Sequence, residues 1–280
     1  MTWLGLCWRG LLMGIVEVLP GISGGTIALL TQIYDKLINS LSQIAKFRAV
    51  DAERASWLAS LKFLVQLGFW MVCGFIASML TILELVGRTP QLFWGAILGI
   101  VVGVVIHLTR TVDTQYLIRF VPVGLFIGIP IVALPPASLE PPLWMFAIGG
   151  IGAFSAWILP GISGSMMLLL MGIWVPTLEA VRDLEVTKLA LFAAGMALAF
   201  AIVPRVLASG IRRYRQQMLA FFIGLVASTV YRAWPWRSDS DLPELPVLSI
   251  DAQMLAVIAC MVIGCVGVLV LMRLVDRDVA

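Results

Sequence analysis

The hexapeptide Leu-Pro-Gly-Ile-Ser-Gly occurs twice in this chain, at Leu19–Gly24 and at Leu159–Gly164, and the copies lie 140 residues apart in a sequence of 280. Each interrupts an apolar stretch, about 2–38 in the first half and about 143–178 in the second. Proline removes a backbone donor and glycine frees the backbone, so a regular helix cannot run through either break. Composition says what surrounds them. Hydrophobic residues make up 61% of the chain and charged residues 12%, against about 45–50% and about 25% in a soluble domain. Lipid is therefore the main solvent, and broken backbone at membrane depth is tolerated only inside protein or beside a polar cavity. The expectation is a pair of re-entrant helical hairpins, 2–38 and 143–178, with their tips within the protein.

Six further stretches, about 61–86, 92–109, 116–134, 187–208, 217–234 and 252–275, are each close to the roughly 20 residues a spanning helix needs. The predicted fold is an all-α polytopic membrane protein, a single membrane domain over 1–280. It divides into two repeats, 1–138 and 139–280, each a re-entrant hairpin followed by three transmembrane helices. Three spans per repeat is an odd number, so the second half enters the membrane inverted relative to the first. Charge gives an independent reading. With both termini cytoplasmic, only Arg88, Arg182, Lys188, Arg232 and Arg237 of the 19 basic residues fall outside. The outer loops Pro135–Pro142 and Ser238–Pro246 then contain acid and proline but no base, as the positive-inside bias requires. Glu17 interrupts the first apolar stretch and no A-x-A site follows it, so this stretch is read as part of the fold rather than as a cleaved signal.

Other classes fall away on the same grounds. A net charge of +3 spread over loops, with no basic stripe or aromatic platform, excludes nucleic acid as a partner. Cys7, Cys73, Cys260 and Cys265 lie in apolar stretches without a CxxC or Cys/His cluster, so neither a metal site nor a cofactor is expected. Gly95, Gly99 and Gly103 form a small-residue face on the second span, which fits helix contact within the chain or a homodimer seam; spacing does not separate the two. His107, the single histidine, is placed at the cytoplasmic end of its span. Tryptophans near span ends, such as Trp3, Trp94 and Trp174, fit interfacial anchors.

Hairpins entering from opposite faces would bring Pro20, Gly21, Ser23, Gly24, Gly25 and Thr26 near Pro160, Gly161, Ser163, Gly164 and Ser165 at the midplane. A helix beginning after each tip presents unpaired amides and a positive dipole end, which suits an anion and above all a phosphate. The glycines allow close approach and the hydroxyls add donors. Capping two helices would by itself explain Ser23 and Ser163, but it does not require the same six residues twice, and matched Gly/Pro interruptions in two halves mark transporter sites. Glu17, three residues before Pro20, corresponds to Trp157 in the second copy. An intramembrane carboxylate is costly and is read as a proton carrier or a partner for a cation. Arg9 and Arg205 are the candidate headgroup cations, with pairing to Glu17 for Arg9 and snorkelling to the surface for Arg205 as the plainer readings.

Gly14 to Thr26 and Leu159 to Ser165 resemble the two signature motifs of the bacterial polyprenyl-phosphate translocases of the PopT type, and the resemblance covers essentially the whole chain. It implies transport of undecaprenyl phosphate, a carrier lipid of cell-envelope synthesis, from the outer to the inner leaflet of the bacterial cytoplasmic membrane for recycling, with coupling to protons. The partners implied are the prenyl-phosphate lipid, the bilayer and protons. On this reading only the phosphate needs a protein path, because the prenyl tail can stay in lipid. The sequence departs from the family pattern at Glu17, where aspartate is expected, and at Thr31-Gln32, where a small residue and a glycine are expected. Two rival readings stand beside it. A small-anion or ion transporter or channel shares the hairpin logic. An intramembrane serine hydrolase would use the G-x-S-G character of the motifs, but one histidine for two serines makes that mechanism hard to assemble twice.

Overall fold

A computed structural model describes residues 3–17, 23–46, 54–133, 141–237, 243–244 and 252–279, with the side chains of 79–87 and 274–279 outside that description. Every regular element among the described residues is a helix. The first half gives α1 (Trp3–Glu17), α2 (Gly24–Leu30), α3 (Tyr34–Ile44), α4 (Arg54–Arg88), α5 (Pro90–Thr109) and α6 (Thr114–Ala133). The second gives α7 (Leu143–Ile158), α8 (Gly164–Leu170), α9 (Trp174–Arg182), α10 (Val186–Arg213), α11 (Arg215–Ser228), α12 (Val230–Ala233) and α13 (Ala252–Val279). The chain is a multi-pass membrane protein. Among the described residues five helices, α4, α5, α6, α10 and α13, are long and apolar enough to cross a bilayer.

Two expectations are revised. The region 217–234 is not one unbroken helix but α11 and the single turn α12, divided at Thr229. There the Ser228 and Thr229 hydroxyls donate to the Leu225 and Val226 carbonyls at 2.7 Å each, competing with the helix ladder. The second limb of each hairpin is also broken again, into α2 and α3 and into α8 and α9, with α8 and α9 at 108°. Both breaks are Schellman caps: Ile33 N–H donates to Ala28 O and Gln32 N–H to Leu29 O, while Ile173 N–H donates to Leu168 O and Gly172 N–H to Leu169 O. Such a cap needs a left-handed residue. Glycine supplies it in the second half, at Gly172 (φ 70°), whereas Gln32 (φ 61°) is forced into it in the first.

The helices pair in a pattern that repeats between the halves. α1 packs along α4 and α7 along α10, while α5 packs along α13 and α11 along α6, so each half lends one span to the other. Glycine opposed to backbone joins every pair. Gly14 lies against the Met71 carbonyl, Gly195 against that of Ala147 and Gly124 against that of Phe221, so that even a Cβ would collide. The Gly95, Gly99 and Gly103 face is used in the same way, against Val257, Met261 and Cys265 of α13, which makes it a contact within the chain. At the centre lie α2, buried along its whole length, and α11, buried over most of it.

Candidate functional site

The two sequence breaks meet. The Ser23 hydroxyl, wholly buried, donates to the Leu159 carbonyl at 3.3 Å. The Gly161 amide donates to Thr26 Oγ1 at 2.9 Å, and Ser23 Oγ lies 3.2 Å from Thr26 Oγ1. Each hydroxyl has one proton, so the pattern is satisfied if Thr26 donates to Ser23 and Ser23 to Leu159. Tyr34 adds a third link, donating to the Ile158 carbonyl at 2.9 Å. The interlock is tight: Gly161 is left-handed (φ 85°) with its α-carbon against Leu225 and Val226, and Gly25 backs onto Ile158 and Leu159. Pro160, Gly161 and Ser163 are buried at this junction. Pro20 and Gly21 lie outside the described residues.

The two helix starts differ, which the sequence copies conceal. On α2 the Gly24 and Thr26 amides are occupied by the protein's own side chains. Glu17 Oε1 accepts from the Gly24 amide at 2.9 Å, and Ser23 Oγ accepts from the Thr26 amide at 3.3 Å. On α8 Ser163 makes no side-chain cap; its hydroxyl lies 2.9 Å from that of Ser165, which is exposed. Glu17 also accepts from Trp157 Nε1 at 3.1 Å, so the two residues that correspond across the repeat touch one another.

Beside this contact is a cavity of about 730 Å³. Glu17, Trp157, Gly164 and Ser165 form its polar end, and Phe75, Ala153, Phe154, Leu168, Trp174, Phe192 and Met196 form the rest of the described lining. Glu17 is the one ionisable residue among the described residues of this lining. The two candidate arginines serve elsewhere. Buried Arg9 donates through Nε to the Thr31 carbonyl at 3.2 Å and through Nη1 to that of Gly5 at 2.8 Å, and its guanidinium lies 4.4 Å from the Trp8 ring centroid. Arg205 donates to the Ala45 carbonyl. Both cations thus sit at carbonyl ends of first-half helices, α2 and α3, where a helix dipole favours positive charge.

A second polar cluster was not expected. Arg215, at the start of α11, pairs with Asp35 in the first turn of α3. A cavity of about 280 Å³ beside the pair is also lined by Gln32, His107, Thr111 and Gln216, so His107 is placed here rather than with either serine. An adjoining cavity of about 260 Å³ adds Asn39 and Arg212. Asp35 and Lys36 within an otherwise apolar limb were the available signal; the partner, 180 residues away, was not readable.

A family model described as undecaprenyl phosphate translocase-like matches residues 13–246. A polyprenyl-phosphate transporter of Vibrio cholerae is 33% identical over 263 residues, 89% of this chain and 85% of the relative. One of Staphylococcus aureus is 27% identical over 249 residues, 81% of this chain and 84% of the relative. No solved structure gives a significant match.

Proposed function

The chain belongs to the undecaprenyl phosphate translocase-like family, and on that premise we propose that it carries undecaprenyl phosphate from the outer to the inner leaflet of the bacterial cytoplasmic membrane, returning the lipid for envelope synthesis. The observation that carries the reading is the junction of the two breaks beside a cavity with a hydroxyl-bearing polar end and an apolar body, the profile of a phosphate lipid. The headgroup sits at Gly164 and Ser165, with Ser163 behind them. Ser23, Gly24, Gly25 and Thr26 then hold the junction behind it, and Pro160 and Gly161 shape the turn before α8; Pro20 and Gly21 are proposed with them from the sequence repeat alone. The exchange of helix pairs between halves supports inverted repeats with a re-entrant hairpin in each, and the basic residues support cytoplasmic termini.

Glu17 supplies the coupling. A phosphate dianion and a carboxylate in one low-dielectric cavity with no cation among its described lining residues repel, so the pair carries a shared proton. A proton moving inward accompanies the phosphate as the halves rock and the site opens first outward and then inward. The hydrolase reading finds little support, since Ser23 and Ser163 bond to a carbonyl and a hydroxyl while His107 lines a different cavity.

The test is translocation of labelled undecaprenyl phosphate by purified protein in proteoliposomes. Ser163→Ala combined with Ser165→Ala is expected to slow transfer by about tenfold or more, the loss of roughly 1.4 kcal/mol or more of headgroup binding, with unfolding in detergent unchanged. Wild-type rates in the double variant would remove the tips from the mechanism. Competition by inorganic phosphate or chloride as strong as that by prenyl phosphate would favour a small-anion carrier instead.

A further inference from the structure

We propose that the apolar body of the 730 Å³ cavity is a binding site for the first isoprene units of the lipid, so that the chain is recognised along with the headgroup and does not simply trail in the bilayer. The inference rests on the phosphate-lipid reading and adds a second determinant to it.

Size is the first reason. A phosphate group displaces only a few water volumes, on the order of 100 Å³ at ~30 Å³ per water. Most of the cavity is left over, and its walls are apolar. Cavities of that kind do not hold water stably; they take apolar ligands. Continuity is the second. Gly164 lies against Ala153 and Trp157 of α7, and Ser165 follows it and is exposed. A headgroup at Ser165 therefore has its ester oxygen facing the chamber formed by Phe154, Trp174, Phe192 and Met196, and the attached carbons must enter it.

The walls select the type of chain. Of the seven described residues that line the apolar body, four are aromatic: Phe75, Phe154, Trp174 and Phe192. They come from four helices, α4, α7, α9 and α10, so rings meet the chamber from several directions. Planar, methyl-bearing double bonds offer flat faces to such rings, whereas a saturated chain offers none. Met196, a flexible thioether, fills around the branch methyls. Phe75 of α4 and Met196 of α10 are 42% and 38% exposed, so the chamber is open at these two residues and a chain can leave it there.

The experiment measures inhibition of labelled undecaprenyl phosphate translocation by the full-length protein in proteoliposomes, with farnesyl phosphate and dodecyl phosphate as competitors. Farnesyl phosphate should inhibit at a concentration at least tenfold below that of dodecyl phosphate. Phe192→Ala should narrow the difference to less than about threefold by weakening the farnesyl compound alone. Met196→Trp, which fills the chamber without removing a wall, should weaken both prenyl competition and transport. Equal inhibition by the two phosphates in the wild type overturns the chain site while leaving the phosphate-lipid reading intact. Inhibition by neither overturns both. A prenyl preference unchanged in Phe192→Ala and Met196→Trp also overturns the chain site, because the selection then lies elsewhere.

Discussion

At the scale of single residues, the most informative positions are those where the two halves hold different side chains in the same role. Gln32 and Gly172 occupy the same left-handed cap, and only glycine does so without steric cost. Gln32→Gly is therefore expected to raise stability by up to about 1 kcal/mol, the left-handed penalty less the added freedom of the unfolded chain. The reverse change, Gly172→Gln, should lower it by a similar amount, and thermal unfolding in detergent checks both. Glu17 and Trp157 correspond in sequence and bond in space. Glu17→Gln keeps an oxygen for the Gly24 amide and Trp157 Nε1, so the protein should fold as before while translocation loses its response to an imposed pH gradient. Glu17→Ala leaves both donors unpaired and should cost about 1–3 kcal/mol as well. A gradient response in Glu17→Gln equal to the wild type would assign coupling to another group.

At the scale of elements, the two copies of the motif build starts of opposite accessibility. α2 is buried along its length with its first donors taken by Glu17 and Ser23, whereas α8 buries only Leu168 and turns Ser165 to the cavity. In a background with the native cysteines replaced, Ser165→Cys should react with a small maleimide at least tenfold faster than Ser23→Cys. Equal rates would contradict the asymmetry. This difference was not legible in the sequence, because identical hexapeptides cannot report which of them their surroundings cap. The spans and the existence of both breaks were legible, since hydropathy and Pro-Gly act locally. The second break was hidden in the first half, where glutamine occupies a glycine position. The α11 break was hidden because Ser228 and Thr229 interrupt the helix through hydrogen bonds rather than polarity.

At the scale of the whole molecule, the halves are held together by exchanged spans and by the junction of their breaks, and along another seam by Asp35 with Arg215. The repeat and its spacing pointed to the two motifs as neighbours, and Ser23 and Thr26 do meet Leu159 and Gly161. The partners of Arg9 and Arg205 were not readable, because a lone cation in an apolar sequence gives no sign whether a ligand or a backbone carbonyl satisfies it. The central claim is that the lipid phosphate sits where the two breaks meet. Photo-crosslinking the reconstituted protein with a prenyl phosphate carrying a diazirine next to the phosphate, followed by peptide mapping, tests it most directly. The account predicts labels within 153–168 and at Glu17, reduced by excess unlabelled undecaprenyl phosphate. Competable labelling confined to the Asp35–Arg215 cluster or to the outer faces of α6 and α13, with none at the junction, would contradict it.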